Sequence, residues 1–396
     1  MDTSRPPLVK LGFANGIAQG FGVMVSHAFG AKDFKLLRHY VALSLILTLI
    51  ISLLLTIPTV TASRLLLAWM HTPENIIAMA DAYIKVIFAG ILLTMAYNVL
   101  SGILRGIGDS RTPLYFLILS SVLNIILDVV LIVYTGLGTA GAAYATIIAQ
   151  GVSAVLCFFY MYRKYDILRT RHEDYYLDSA GVKNMLAIGV PMALNYSITA
   201  IGTMIMQSAV NVFGSSVVAA FTAASKVSNI ATQSMPTLGT AMATYCGQNL
   251  GAGKYDRIYA GMRQGLFLCF GAAATAAAIC IFGGRFIVSW FVSNPSEEIF
   301  SSAMQYLTIA SWFFLPLAMI FLYRNALQGL DQGLIPMLSG VVELACRFGV
   351  IALVPASTGF FGVCFADPAA WAGAGIPLFI TYLLWEHRMK QHHKAA

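Results

Sequence analysis

A near-unbroken succession of apolar runs, each long enough to cross a bilayer and separated by short polar loops, constrains this chain more than any other feature. About 20 apolar residues span the hydrocarbon core. Backbone polar groups cannot go unpaired there, so the runs must be helices. The spacing predicts eleven spans, at roughly 8–30, 36–60, 76–104, 112–134, 139–162, 183–213, 217–250, 257–283, 299–328, 334–355 and 369–387. Only 10% of the 396 residues are charged and 58% are hydrophobic, whereas soluble domains carry roughly 25% charged residues. The expected fold class is therefore all-α: a polytopic membrane protein of about eleven transmembrane helices in two pseudo-symmetric bundles.

The formal net charge of +7 does not read as a nucleic-acid surface, because Lys and Arg fall in alternate loops between apolar runs. One set of loops holds Lys32, Lys35 and Arg38; Arg105 and Arg111; Arg163, Lys164, Arg169, Arg171 and Lys183; and Lys254, Arg257 and Arg263. The tail adds Arg388, Lys390 and Lys394. The opposite loops hold little beyond Arg64 and Arg285. Basic loops face the cytoplasm, which puts the C-terminus inside and, with an odd number of spans, the N-terminus outside. The first residues lack the basic-then-apolar pattern of a cleaved signal peptide. Six cysteines lie in apolar segments without C-x-x-C spacing and read as small buried hydrophobes.

The chain repeats itself. Phe29-Gly-Ala-Lys-Asp-Phe34 resembles Leu250-Gly-Ala-Gly-Lys-Tyr255, and Gly141-Ala-Ala-Tyr-Ala145 resembles Gly362-Val-Cys-Phe-Ala366, with the same separation along the chain in both cases. Between them Thr112-Pro113 matches Ile335-Pro336, with slight slippage. Repeated transporter halves have this signature. The expected organisation is an N-terminal lobe over 1–170, a cytoplasmic linker over 171–182 and a C-terminal lobe over 183–396. The span beginning near Lys183 has no partner in the first half, as in a twelve-span protein without its first helix.

Asn124 and Asp128 are four residues apart and share one helix face. A carboxylate at membrane depth costs about 2.5–3.5 kcal/mol on insertion scales, so it marks function by default. A carboxylate, an amide oxygen and a hydroxyl from the next span, Thr146, would suit a sodium ion. The plainer alternative is that Asp128 caps or pairs near a helix end. In the second half Glu343 and Arg347 are also four apart, at the place in the repeat where Asn124 and Asp128 stand; the plain reading is a self-neutralised pair. Lys226, inside an apolar run, either lines a polar cavity or reaches the interface. Asp81 and Lys85 read as an ion pair near a helix end. Gly12, Gly16 and Gly20 read as close helix packing. Pro191, Pro316 and Pro377 fall within spans and should bend them. Gly136-Leu-Gly-Thr-Ala-Gly141 matches a dinucleotide fingerprint only in letters, since it joins two spans. The segment ending at Lys254 misses P-loop spacing. The histidines, 27, 39, 71, 172, 387, 392 and 393, lie mostly at loops or the tail without metal-ligand spacing. No cofactor is expected.

Leu104-Arg-Gly-Ile-Gly-Asp-Ser-Arg-Thr-Pro113 with Leu123-Asn-Ile-Ile-Leu-Asp128, and Gly239-Thr-Ala-Met-Ala-Thr-Tyr-Cys-Gly-Gln-Asn-Leu-Gly-Ala-Gly-Lys254, resemble multidrug and toxic compound extrusion (MATE) transporters. So do Tyr323-Arg-Asn-Ala-Leu-Gln-Gly329 and the stretch through Glu343 and Arg347 to Asp367-Pro-Ala-Ala-Trp371. The resemblance covers about residues 11–390. It implies two six-helix lobes and cation-driven export of amphiphilic, often cationic compounds. In the subgroup named for a DNA-damage-inducible protein, the resemblance implies a cation site to which Asn124, Asp128 and Thr146 contribute, with a further acid on the first helix that has no counterpart here. Another subgroup's acid, eight residues after the proline of the seventh helix, is replaced by Thr199.

The expected function is a secondary antiporter that exchanges drugs or amphiphilic cations for Na⁺ or H⁺. It would be a monomer in a bacterial inner membrane, with the bilayer and small molecules as partners, no nucleic acid and no enzymatic activity. Two alternatives stand beside it: a flippase for lipid-linked saccharides, which would draw on Lys226, Arg324 and Arg347, and a truncated, non-transporting remnant. A membrane-embedded lipid-phosphate enzyme would need clustered acids or histidines at the membrane surface, and the sequence offers none.

Overall fold

The computed structural model describes residues 5–69, 74–292, 296–354 and 356–395, so His71, one of the histidines read from the sequence, lies outside the described residues. No strand occurs among the described residues. Long runs rich in Leu, Ala and Met favour helix, and short loops containing Gly, Asp or Lys end several of them, as at 31–33, 107–110, 252–254 and 330–333. The first helices are α1 (Arg5–Gly30), α2 (Phe34–Thr61), α3 (Ser63–Trp69), α4 (Glu74–Ala89) and α5 (Ile91–Gly106). Next come α6 (Arg111–Val129), α7 (Gly138–Lys164) and α8 (Ser179–Asn211). The second half holds α9 (Ser215–Thr232), α10 (Ser234–Gly251), α11 (Tyr255–Val288), α12 (Glu297–Ser311) and α13 (Phe314–Gly329). It ends with α14 (Leu334–Leu353), α15 (Gly359–Val363) and α16 (Ala366–Ala395).

All eleven predicted spans have helical counterparts, three of them broken. The span at 76–104 is α4 and α5, bent by 43°, and that at 299–328 is α12 and α13, bent by 52°. The span at 217–250 is α9 and α10, parted at Gln233. Among the described residues, seven helices are long and apolar enough to cross a membrane, or nine if each bent pair is one span. Pro316 sits in the first turn of α13, just past the second bend, where a missing N–H costs nothing.

The chain divides into two compact units, residues 1–196 and 197–396, with the division inside α8. The segment 171–182, which the sequence marks as the linker, holds a short 3-10 turn (His172–Asp174) and the start of α8. In unit 1, α5 packs against α1, α2 and α7, while α7 also supports α4 and α6. Phe21, Leu37, Leu43, Phe88, Met95 and Leu104 are fully buried there. The predicted glycine stripe does its expected job: a Cβ on Gly16 would lie 2.5 Å from the Ala193 backbone of α8, and one on Gly20 would strike Gly189. α6 is the most open helix, with Leu114, Ile118, Val122 and Ile125 exposed. In unit 2, α13 packs against α10, α11 and α16, and α14 lies along α16.

The repeat is visible in backbone geometry. Left-handed residues recur in pairs: Lys32 (φ 58°) with Gly253 (φ 66°), Gly108 (φ 94°) with Asp331 (φ 61°), and Gly138 (φ 54°) with Gly359 (φ 55°). The bends at Gly90 and Phe313 are likewise matched. Close packing follows suit: a Cβ on Gly106 would meet the Gly22 carbonyl, and one on Gly329 the Ala243 carbonyl. The first and third turn pairs share one separation along the chain, while the second pair and the bends share another, slightly longer one.

Candidate functional site

In unit 1 the structure brings Asn124 on α6 to Thr146 on α7, with Asp128 one helical turn further along α6. The Asn124 amide donates to the Thr146 hydroxyl at 3.3 Å, and that hydroxyl donates to the Ala142 carbonyl at 3.0 Å. Asp128 Oδ1 is buried and has no hydrogen-bond partner. A buried acceptor without a donor is rare in folded proteins and calls for an explanation. Immediately after Asp128 the helix widens into a π turn at Val130–Tyr134, a deviation common at functional sites.

The polar cluster continues across unit 1 through residues that the sequence reading did not single out. Thr94 on α5 donates to Gln150, one turn beyond Thr146 on α7. Asn98, one turn beyond Thr94, donates to Asn15 on α1 at 2.7 Å. The signal available in the sequence was the repeated spacing of four, Thr94 with Asn98 and Thr146 with Gln150, in otherwise apolar helices.

In unit 2 the expected Glu343–Arg347 pair forms at 3.3 Å, and it belongs to a longer chain of charges. Arg324 on α13 donates to Glu343 Oε2 at 2.9 Å, and Arg347 Nε donates to Asp367 Oδ1 on α16 at 2.9 Å. The Tyr306 hydroxyl on α12 donates to Asp367 Oδ2 at 2.9 Å. Two guanidinium groups thus meet two carboxylates, all largely buried. A Cβ at Gly202 of α8 would strike the Arg347 guanidinium, so a glycine there leaves it room. Lys226 is exposed on α9, with Nζ 5.4 Å from the Phe291 ring centroid. Asp81 and Lys85 pair at 2.7 Å, and Ser63 also donates to Asp81.

His39 departs from the expectation that the histidines lie mostly at loops or the tail. It is one turn inside α2 and 5% exposed. Its Nδ1 is 3.1 Å from the Asp174 carbonyl and its Nε2 is 2.6 Å from Asp178 Oδ1, while Tyr176 stacks on the ring at 4.1 Å. Both partners are acceptors, so only the doubly protonated imidazolium donates to both. Asp178 sits in the loop before α8. The Gly181 N–H that it accepts, together with His39, holds its carboxyl below the usual range. Asp109, in the α5–α6 loop, is raised by burial but lowered further by the hydroxyls of Thr112 and Tyr165.

Twice-built helical units with bends and polar clusters at matched places define a multi-pass membrane transporter assembled from two repeats. The chain belongs to the MatE family, whose model matches residues 8–130 and 191–353. It is 30% identical over 311 residues to the probable multidrug resistance protein YpnP of Bacillus subtilis, covering 78% of this chain and 68% of that one. It is 25% identical to the probable multidrug resistance protein NorM of Thermotoga maritima, over 83% and 71% of the two chains. An FAD transporter of Shewanella oneidensis is 24% identical over 89% and 78%. Among solved structures, a MATE protein in complex with MaL6 superposes with a TM-score of 0.91 at 22% identity, covering 98% of this chain and 88% of that one. An outward-facing multidrug resistance MATE transporter matches with 0.90 at 22% identity, covering 98% and 87%. These relatives are named as resistance proteins or transporters, not as enzymes.

Proposed function

We propose that this chain is a cation-coupled antiporter that exports small amphiphilic, mainly cationic compounds, with Asp128 as the residue that binds and releases the coupling Na⁺ or H⁺. The observation that carries this reading is the buried, partnerless Asp128 Oδ1, one helical turn from the Asn124 that bonds Thr146. A carboxylate, an amide and a hydroxyl are the hard oxygen-bearing groups that a sodium ion prefers, and a proton needs the carboxylate alone. With the ion bound, Asp128 is neutral and its burial is cheap. With the ion released, the charge costs about 2.5–3.5 kcal/mol at membrane depth. The ion biases one transport conformation over another to the extent that the two differ in how well they bury the neutralised and the charged carboxylate. Asn124, Asp128 and Thr146 also match the subgroup named for the DNA-damage-inducible protein, in which we place the chain.

In the flippase alternative, lysines and arginines would receive a pyrophosphate. Arg324 and Arg347 are neutralised by Glu343 and Asp367, which weighs against that reading and for organic compounds. The bias of basic loops supports a bacterial inner-membrane location with a cytoplasmic C-terminus, and nothing in the reading requires more than a monomer.

The test is ethidium efflux from proteoliposomes driven by a sodium or pH gradient. Asp128→Asn is expected to abolish gradient-dependent efflux while the protein still folds, since the amide fits the same space. Efflux in that variant with unchanged sodium and pH dependence would overturn the assignment.

A further inference from the structure

The geometry of the repeat assigns a partner to the cation site of unit 1. The bends at Gly90 and Phe313, the turns at Gly108 and Asp331, and the prolines Pro113 and Pro336 all stand the same distance apart along the chain. This register puts Arg347 at the place of Asn124, Ile351 at that of Asp128 and Glu343 at that of Ser120. It moves the match by one helical turn from the sequence reading, which set Glu343 and Arg347 against Asn124 and Asp128. The helices that follow keep the register of the turns at Gly138 and Gly359, which puts Asp367 at the place of Thr146. The contact between Asn124 and Thr146 in unit 1 is therefore matched in unit 2 by the contact between Arg347 and Asp367.

The two contacts differ in charge. At this place unit 1 offers the carboxylate of Asp128, with an unpartnered oxygen and no ion pair to any described residue. Unit 2 offers two carboxylates and has a cation already between them: the Arg347 side chain, 5% exposed, bonds Glu343 on one side and Asp367 on the other. Glu343 is further neutralised by Arg324, and Asp367 is held by the Tyr306 hydroxyl. Gly202 on α8 leaves the space into which the Arg347 guanidinium fits. A self-neutralised pair on one helix would need none of these contacts from α8, α12, α13 and α16.

We propose that Arg347 is a resident cation: unit 2 carries the repeat-related counterpart of the unit 1 cation site, filled by the protein's own guanidinium, and removing that side chain opens a monovalent-cation site between Glu343 and Asp367. The corollary, which rests on the coupling role of Asp128 given above, is that exchangeable cations bind in unit 1 alone. Arg347 serves as a positioning residue that locks α14 to α16 in every ion state.

Thermal unfolding of the purified full-length protein in detergent tests this, with choline chloride as the inert reference and sodium chloride or low-millimolar guanidinium chloride as probes. The first set of variants carries Asp128→Asn, which silences the unit 1 site. Adding Arg347→Ala should lower Tm by several degrees in choline, and sodium or guanidinium should restore most of that loss. The further variant Glu343→Gln/Asp367→Asn should respond to neither probe. A D128N/R347A protein that is indifferent to both cations would overturn the proposal. So would a sodium response in D128N alone that disappears with Glu343→Gln/Asp367→Asn, because the site would then take an exchangeable cation alongside Arg347. If Arg347→Ala does not fold, the converse variant decides: Asn124→Arg in the otherwise native chain should stabilise the protein in choline and remove its sodium response. Retention of that response would overturn the equivalence. The sodium response of the native chain reports on Asp128 separately, so failure of the coupling role and failure of the resident cation give different results.

Discussion

Single side chains in this protein matter through the charges that they leave paired or unpaired. Removing one partner from a buried ion pair costs roughly 3–5 kcal/mol, because the other charge stays behind in a medium that cannot solvate it. Glu343, which faces two guanidinium groups, is the clearest position of that kind. The contact between His39 and Asp178 works at the edge of the protein. The Asp178 carboxyl is held below its usual range by the Gly181 N–H and by His39. Its contribution to stability is therefore present above the unfolded carboxylate value, about pH 4, and is lost as pH falls below it through the folded value. Amide hydrogen exchange across residues 171–181, corrected for the intrinsic pH dependence of exchange, should show the linker leaving α2 as pH drops from 5 to 3. Asp178→Asn should show that release already at neutral pH. The spacing of Asn124 and Asp128 made them legible in the sequence, since four residues is one helical turn. Asp367 was not legible as a partner of Arg347, because the two lie on different helices and only packing brings them together.

At the scale of the elements, glycine positions set how close helices approach. Gly16 and Gly20 let α1 rest on the α8 backbone at Ala193 and Gly189, and in a bilayer such close contact is the main source of helix association. Gly16→Leu should force the two helices apart and cost at least about 1–3 kcal/mol, read as a lower Tm in detergent. A leucine at Gly271, which faces open space, is the control and should change little. The bends in the third and ninth predicted spans could not be told from straight helices by periodicity. At Gly90 the sequence offers a glycine, and just past the matching Phe313 it offers Pro316, whose ring cannot continue the preceding helix, while the angle at each bend is left to packing.

The whole molecule is one design used twice, and paired positions should answer alike to the same change. At Lys32 and Asp331 the chain adopts a left-handed conformation where the partner position in the other half is a glycine, Gly253 and Gly108 respectively. A left-handed non-glycine residue costs roughly 1–2 kcal/mol. Lys32→Gly and Asp331→Gly are therefore expected to stabilise the protein by about 1 kcal/mol each, with Gly253→Ala and Gly108→Ala destabilising it comparably. Chemical unfolding of the four variants measures this. Stabilisation by glycine at one member and destabilisation by alanine at the other, found in both pairs, would support the repeat as an energetic as well as a geometric symmetry.

The sequence alone determined that this chain crosses a membrane many times as helices, that it is a duplication, and that Asn124 and Asp128 share one helix face. Those conclusions rest on hydropathy, on one long internal period and on spacing along one helix, all of which are local or additive properties. The tertiary structure alone decided the register of the two halves, the burial of His39 and the chain of charges through Arg324, Glu343, Arg347 and Asp367. Each of these depends on which faces of distant helices meet, and an apolar helix in a bilayer carries little in its composition that specifies its neighbour. There, burial in lipid and burial in protein ask for the same residues, and only close packing and the pairing of rare polar groups tell them apart.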